Sequence, residues 1–234
     1  MRVGVLVNPD AGLGGKLGFK GSDGRAKEAR AAGAEDRAGP RMTQCLSKLE
    51  ELLSSGLNRV NANPEFFTWN GRMGGDWLND FDFTDLGSSP KETSAQDTSR
   101  LVNDLISNQV DIILYAGGDG TTRDIVNAME GNETPLIGVP GGVKMHSGCF
   151  ATTPNAAAEV LLSFLQGDLL SSITEVMDLD EEVYLKGEWK VKMYGEAWTP
   201  ASPRFMQGSK QQVERASEDE IIEGLANHVS DLIK

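Results

Sequence analysis

The sequence predicts an α/β protein with a doubly wound, mostly parallel sheet, followed by a short β-rich insertion and a terminal helix. Short β-prone apolar runs alternate along the chain with amphipathic segments of helical period, which is typical of βαβ units. Three of these runs end at glycine-rich segments, as strands do where a parallel sheet meets its ligands. A chain of 234 residues is long enough for one large domain or two small ones.

The elements of the first half follow from the spacing of apolar residues. Asp111–Ala116 is mostly a continuous apolar run, as expected of a central strand covered on both faces. Residues 19–39 lack apolar periodicity and predict a long loop or a weak surface helix. The other elements predicted here are strands at Val3–Val7, Glu65–Trp69 and Phe81–Phe83, an amphipathic helix from Pro40 to Leu53, and a helix capped by Ser94.

The alternation continues to about residue 172 and then changes. The predicted elements are a helix at 121–129, a strand at 136–139 and a helix at 154–166 that begins with a proline. We expect these to complete an α/β domain at residues 1–172.

Beyond this point the sequence predicts a second unit at residues 173–234. Residues 173–208 mix β-prone and charged residues and predict short strands or an inserted β ribbon. Residues 218–234 return to helical spacing, with an apolar stripe that no later strand can cover. We expect this stripe to stay exposed or to be covered in a homo-oligomer, and we interpret the unit as the start of a truncated second domain.

Composition excludes several classes of function. The chain has 22 Lys and Arg against 35 Asp and Glu, and a net charge of −13 disfavours binding to nucleic acid or anionic lipid. No apolar stretch approaches the roughly 20 residues that span a bilayer, and no signal peptide is recognisable, so we expect a cytoplasmic protein. Cys45 and Cys149 have no metal-binding spacing and are expected to be reduced core thiols.

The segment GGDGT stands between a buried-type strand and the start of a helix. Its glycines Gly117, Gly118 and Gly120 would let the backbone approach a phosphate, and the first amides of the helix that begins at about Thr121 would face the anion. A carboxylate among such amides suits Mg²⁺ binding or proton acceptance, so Asp119 is a candidate metal ligand or base. The alternative is a glycine-rich turn in which Asp119 caps the helix.

Two further glycine-rich segments also follow predicted strands. Residues 8–15 read NPDAGLGG, which fits neither a Walker A loop nor a dinucleotide fingerprint, and a flexible loop is as compatible as a phosphate cradle. Residues 138–145 read GVPGGVKM, where the lysine would counter phosphate charge or lie exposed on a turn, and His146 beside them is a candidate ligand contact. Because the carboxyl ends of parallel strands lie at one edge of a sheet, we expect these segments to converge there with GGDGT. Their candidate phosphate contacts are Gly12, Gly14, Gly15, Gly141, Gly142 and Lys144.

These motifs resemble those of the kinases with a GGDGT signature, which include NAD kinases, diacylglycerol and sphingosine kinases and 6-phosphofructokinases. The segments NPDAGLGG, KGSDG, DIILYAGGDGTTRDI and PLIGVPGGVKMHSGCFATTP are similar to the ATP-NAD/AcoX-type branch over about residues 1–210. The resemblance implies that Asp119 is catalytic, that the glycines and threonine of GGDGT meet the nucleotide phosphates, and that Asn8 contacts the nucleotide.

The same resemblance implies a fold like that of NAD kinase and phosphofructokinase and a Mg²⁺-dependent kinase. Such an enzyme would transfer the γ-phosphoryl group of ATP to a hydroxyl, with the 2′-hydroxyl of NAD as the favoured acceptor and NADP as product. The expected partners are small-molecule nucleotides, with no nucleic acid and no membrane. The alternatives are a kinase for another small hydroxylated metabolite and a nucleotide-binding regulatory protein without turnover.

Overall fold

A five-stranded parallel sheet forms the centre of the protein. The computed structural model describes residues 1–13, 31, 33–79, 81–141, 145–179 and 190–207. The strands are β1 (Arg2–Val7), β2 (Glu65–Asn70), β3 (Phe83–Ser88), β4 (Ile112–Gly117) and β5 (Leu136–Pro140). They lie in the order β3-β2-β1-β4-β5, and every neighbouring pair is parallel. The predicted parallel sheet is therefore confirmed.

Helices cover both faces of this sheet. They are α1 (Ala38–Leu53), α2 (Ala95–Ser107), α3 (Asp119–Met129) and α4 (Pro154–Leu165). On one face, α1 and α4 pack against every second residue of the central strands, such as Leu114. On the other face, α2 and α3 pack against the intervening residues, such as Tyr115. This alternation explains why β4 is apolar at every position, since both of its faces are buried. The doubly wound prediction is confirmed.

Local sequence signals set where the helices begin. The backbone N–H of Ser94 donates a 2.9 Å hydrogen bond to the Asp97 carboxylate, which confirms the predicted cap of α2. Helix α4 begins with Pro154 after Thr153, whose hydroxyl accepts a hydrogen bond from the Ala156 N–H. These caps satisfy backbone donors that have no partner within the helix.

The observed bounds of two elements differ from the predicted ones. Strand β3 occupies Phe83–Ser88, so the prediction of a strand at Phe81–Phe83 is wrong. The Phe81 ring instead packs on Phe66, with ring centroids 4.8 Å apart, while the polar β3 forms the outer edge of the sheet. Helix α3 begins at Asp119, two residues before the predicted start at Thr121, which places Asp119 inside the first turn.

An antiparallel β ribbon follows α4, as the sequence predicts for residues 173–208, and it lies against α3 and β5. Its strands are β6 (Ser171–Leu179) and β7 (Val191–Pro200). Val176 is buried in the core that contains α3, and the Thr199 hydroxyl donates a 2.8 Å hydrogen bond to the Leu136 carbonyl in β5. The division into units at residue 172 stays a prediction.

Two other predictions fall largely or wholly outside the described residues. They are the terminal helix at 218–234 and the loop or weak helix at 19–39, of which 31 and 33–39 are described. Within the described part of the chain, no helix combines the length and apolar character needed to cross a membrane.

Candidate functional site

The strand order reverses between β1 and β4, and the carboxyl ends of these two strands lie side by side. Val7 pairs with Ala116 at the end of the ladder, and the Asn8 N–H donates a 3.0 Å hydrogen bond to the Ala116 carbonyl. In open parallel sheets the chains leave such a point towards opposite faces, which opens a crevice where ligands bind. The first two glycine-rich segments therefore begin next to each other at this crevice.

A side-chain hydrogen bond joins these two segments. The Asn8 Nδ2 group donates to Thr121 Oγ1 over 2.9 Å, and Asn8 Oδ1 accepts from the Asp10 N–H over 3.0 Å. Thr121 is 4% exposed, so this bond lies mostly out of water. The asparagine thus orients its own loop and holds that loop against the first turn of α3.

The third segment touches both of the others through the backbone. The Gly141 N–H donates a 2.7 Å hydrogen bond to the Gly117 carbonyl, and a Cβ on Gly141 would lie 2.7 Å from the same oxygen. Gly12 has φ +80°, and a Cβ there would lie 2.8 Å from the Gly141 carbonyl oxygen. Only glycine allows these approaches. In the part of each segment that the structure describes, the three glycine-rich segments meet at one edge of the sheet, as predicted.

The first turn of α3 presents glycines to open space rather than to protein. A Cβ on Gly118 would meet no heavy atom within 4 Å, and one on Gly120 would have Asp178 Oδ2 at 3.8 Å as its nearest neighbour. The amides at the start of an 11-residue helix carry partial positive charge. This uncovered turn, held between two glycine loops, fits a phosphate chain that approaches the backbone.

The Asp119 carboxylate is held by four hydrogen bonds. Oδ2 accepts from the backbone N–H of His146 over 2.8 Å and lies 3.0 Å from His146 Nδ1. Oδ1 accepts from the Ser147 N–H over 2.9 Å and from the Ser147 hydroxyl over 2.7 Å. Asp119 is 7% exposed, so the carboxylate fastens the chain after the third glycine segment to the start of α3.

This arrangement corrects the alternative role of Asp119 as a helix cap. Gly118 is the capping residue of α3, and Asp119 is the first residue inside the helix. Its oxygens accept from a segment 27 and 28 residues later in the chain instead of from its own first turn. We therefore expect Asp119→Asn to lower stability, because the new amide would turn N–H groups towards N–H donors.

A divalent metal at Asp119 would have to compete with the hydrogen bonds that its carboxylate already accepts. The four hydrogen bonds already take up the lone-pair directions of the Asp119 carboxylate. Within the ranges the structure describes, no group of three or more His, Cys, Asp or Glu side chains has a metal-binding arrangement. Asp119 as a metal ligand remains a prediction that this geometry does not favour.

Four predicted phosphate contacts lie outside the described residues: Gly14, Gly15, Gly142 and Lys144. The candidates that the structure brings together are Asn8, Gly12, Gly117, Gly118, Asp119, Gly120, Thr121 and Gly141. Their contacts with nucleotide stay predictions. His146, predicted as a ligand contact, faces Asp119 through Nδ1.

Sequence reasoning missed Ser147, which links three parts of the molecule. It is fully buried, and its hydroxyl bonds to the Asp119 carboxylate and lies 3.0 Å from both the N and the O of Met177 in β6. A serine beside a glycine-rich turn carries no pattern in the sequence that distinguishes it from a surface residue. Its position couples the β ribbon to the carboxylate at the start of α3.

A buried polar network behind α3 was also missed. The Tyr115 hydroxyl lies 2.6 Å from Thr122 Oγ1 and 3.1 Å from Cys149 Sγ. Burial raises the pKa of the Cys149 thiol to about 12 and raises the pKa of Tyr115 well above its ordinary value. Burial also raises the pKa of Cys45. Both cysteines are buried and unpaired with each other, as predicted from their number and spacing.

Comparison with known proteins gives the family. The family model described as the ATP-NAD kinase N-terminal domain matches residues 3–169, which include helices α1 to α4 and, apart from the first residue of β1, all five sheet strands. The comparisons with curated proteins and with solved structures found no match. The family consists of ATP-dependent phosphotransferases that typically use a divalent metal. From this match and the three-loop crevice at the carboxyl ends of β1, β4 and β5, we conclude that the chain belongs to the ATP-NAD kinase family.

Proposed function

We propose that the protein is a kinase that transfers the γ-phosphoryl group of ATP to the 2′-hydroxyl of NAD and yields NADP and ADP. The observation that carries the proposal is the convergence of the glycine segments on the uncovered first turn of α3. Phosphoryl transfer depends mainly on positioning and charge neutralisation, which backbone amides and a helix N-terminus provide. The family match supports the phosphotransferase class.

In this proposal the chain's own residues bind the phosphates, and the metal ion is bound by ATP and not by a site of the protein alone. ATP enters as its Mg²⁺ complex, and the metal neutralises phosphate charge. The backbone of Gly118 and Gly120 faces the phosphate chain, while the bond between Asn8 and Thr121 fixes the loop beside it. The acceptor oxygen bonds to the γ-phosphorus, the bond from that phosphorus to the β–γ bridging oxygen breaks, and ADP leaves.

The acceptor hydroxyl must also lose its proton, and Asp119 is the candidate group for accepting it. The carboxylate is buried at the start of α3, close to the proposed phosphate position. To accept the proton, an oxygen of Asp119 must exchange one of its hydrogen bonds with His146 or Ser147 for the incoming hydroxyl.

The fully bonded carboxylate also favours a second candidate function, a nucleotide-binding protein without turnover. In that case Asp119 only fastens the 146–147 segment, and the three loops bind ATP without chemistry. Within the kinase class, another small hydroxylated metabolite is the alternative acceptor.

One assay separates these functions. The full chain is incubated with ATP, Mg²⁺ and NAD while NADP formation is followed, and ATP binding is measured in parallel by calorimetry. We expect NADP to form and to depend on all three components. Binding of ATP with no NADP and no ADP release would favour the protein without turnover. ADP release that depends on a different added alcohol would identify another acceptor.

A further inference from the structure

The start of helix α1 lies beside the glycine segments, on the face of the sheet opposite to α3. The two helices belong to the cores on opposite sheet faces. The Arg41 Nη1 group donates a 2.7 Å hydrogen bond to the Pro140 carbonyl in the third segment, where β5 ends. A Cβ on Gly12 in the first segment would lie 3.4 Å from Cδ of Arg37. Two arginines of α1 therefore reach two of the three segments.

These arginines lie on the same side of α1. The Arg41 N–H donates a 3.3 Å hydrogen bond to the Arg37 carbonyl, so Arg37 stands one helical turn before Arg41. Side chains four residues apart in a helix are neighbours on one face. Because the Arg41 guanidinium meets Pro140, the face that carries Arg37 is the face turned to the glycine segments.

The Arg37 guanidinium has donors left for a ligand. The carboxylate of its neighbour Asp36 is bonded to Arg72, whose Nη2 lies 3.2 Å and 3.1 Å from the two oxygens. In the part of the chain that the structure describes, the Arg37 side chain forms no hydrogen bond or ion pair. It is half-buried, so solvent screens its charge less than that of a fully exposed arginine.

A nucleoside triphosphate needs more positive charge than the start of α3 offers. The Mg²⁺ complex of ATP keeps about two negative charges, whereas a helix N-terminus supplies roughly half a positive charge. The protein's net charge of −13 also disfavours anions, so a local cation is needed to hold them. A guanidinium suits this task because its planar fork donates two parallel hydrogen bonds to one phosphate group.

We propose that Arg37 binds the outer phosphates of the nucleotide from the α1 side of the crevice and makes the site selective for a triphosphate. The phosphate chain would lie between this guanidinium and the uncovered backbone of Gly118 and Gly120. Arg41 acts differently, because its bond to the Pro140 carbonyl holds the start of α1 against the third segment. The inference rests on the proposed function for the identity of the nucleotide.

Variants of Arg37 test the inference. ATP with Mg²⁺, inorganic triphosphate and AMP are titrated into the full chain by calorimetry. We expect Arg37→Gln to weaken the binding of ATP and of inorganic triphosphate by about five- to thirtyfold, because charge-assisted hydrogen bonds to the outer phosphates are lost. The affinity for AMP, which lacks those phosphates, should change by about threefold at most.

Arg37→Lys separates the charge from the shape of the guanidinium. It keeps the positive charge but loses the planar fork, so its affinity for inorganic triphosphate should lie between those of the unmodified protein and Arg37→Gln. Raising the ionic strength should weaken ATP binding less in Arg37→Gln than in the unmodified protein. If Arg37→Gln proves unstable in thermal unfolding, Arg37→Lys provides the comparison.

Arg59→Gln is the matched control. Arg59 is exposed and pairs with Asp168 beyond the other end of the 16-residue α1, a helix about 24 Å long. This variant loses the same charge, and the loss of an exposed ion pair should leave its stability and all three affinities nearly unchanged.

Three results would overturn the inference. The first is an Arg37→Gln variant that binds inorganic triphosphate as tightly as the unmodified protein. The second is an equal loss of affinity for ATP and AMP, which would place Arg37 away from the outer phosphates. The third is an equal loss of affinity in Arg59→Gln, which would show an effect of net charge alone.

Failure of this inference differs from failure of the proposed function. A protein that forms no NADP, but whose Arg37→Gln variant loses triphosphate binding, would refute the proposed function and leave the role of Arg37 standing. A protein that forms NADP, and whose Arg37→Gln variant keeps its affinity for triphosphate, would refute the role of Arg37 alone.

Discussion

The side-chain amide of Asn8 donates a 2.9 Å hydrogen bond to the hydroxyl oxygen of Thr121, 113 positions later in the chain. The bond ties the loop after β1 to the first turn of α3 at the point where the strand order reverses. It therefore sets the width of the crevice in which we propose that the phosphates bind.

A double-mutant cycle tests this bond. We expect Asn8→Ala and Thr121→Val each to lower the free energy of unfolding, with a coupling of about 0.5–1.5 kcal/mol between them. Denaturant unfolding measures the coupling, and calorimetry should show weaker ATP binding for both variants. Thr121→Ser retains the hydroxyl and serves as the control. Additive effects on stability would show that the bond contributes little.

For Asp119, the change to asparagine should affect both turnover and stability. Loss of the charged proton acceptor is expected to lower NADP formation by about two to four decades. The new amide group would also face N–H donors of the 146–147 segment, which should lower the free energy of unfolding by about 1–3 kcal/mol. Initial rates and denaturant unfolding measure the two effects separately.

Ser147→Ala is the matched control for that variant. It removes one hydroxyl donor to Asp119 but keeps the carboxylate and both backbone donors. We expect Ser147→Ala to lower the free energy of unfolding, while its rate of NADP formation stays within about tenfold of that of the unmodified protein. Full activity in Asp119→Asn would leave this carboxylate with a purely structural role.

Two glycine substitutions separate ligand binding from folding. Gly118→Ala adds a Cβ that meets no protein atom at φ −121°, so stability should change little while ATP affinity falls several-fold. Gly141→Ala places a Cβ 2.7 Å from the Gly117 carbonyl oxygen and should destabilise the fold. Thermal unfolding and ATP titration of both variants test the pair. Unchanged ATP affinity in Gly118→Ala would place the phosphates elsewhere.

Alkaline pH should destabilise the protein through its buried acids. Burial raises the pKa of Cys149 from 9.0 to about 12, and the pKa values of Cys45 and Tyr115 shift in the same direction. Above about pH 9 the thiols of the unfolded chain lose protons that the folded protein retains. The free energy of unfolding should therefore be constant below about pH 9 and should fall as the pH rises towards 12. Thermal unfolding between pH 7 and 11 measures the loss.

The Cys45→Ala, Cys149→Ala double variant provides the comparison. Its stability should fall less steeply above pH 9 because fewer buried acids remain. The unmodified protein should also react slowly with a thiol reagent at pH 8 and rapidly once unfolded. Fast reaction of the folded protein would contradict the burial of both thiols.

Sequence patterns predict the sheet because its central strands are buried on both faces. The continuous apolar run of β4 follows directly from that burial, and the glycine segments follow from the close backbone approach of Gly141 to Gly117. Strand β3 was displaced in the prediction because an edge strand with polar residues lacks such a run. Apolar Phe81, just before it, belongs to the core without belonging to a strand.

The surroundings of Asp119 could not be predicted in the same way. Its donors come from His146 and Ser147, and the distance between these positions and α3 depends on how the whole fold closes. The ribbon contact through Met177 adds a third segment that is separate in the sequence. Local patterns specify elements, whereas this site arises from contacts among distant elements.

The order of the sheet also determines when the protein can begin to fold during synthesis. Strand β1 lies between β2 and β4, and Val3 pairs with Ile112, so β1 must wait for more than a hundred further residues before its second partner exists. Parallel pairing offers no early hairpin to shelter its apolar faces, and such long-range contacts form slowly. Until β4 has been synthesised, one edge of β1 therefore lacks its partner, and completion of the sheet must wait for that strand.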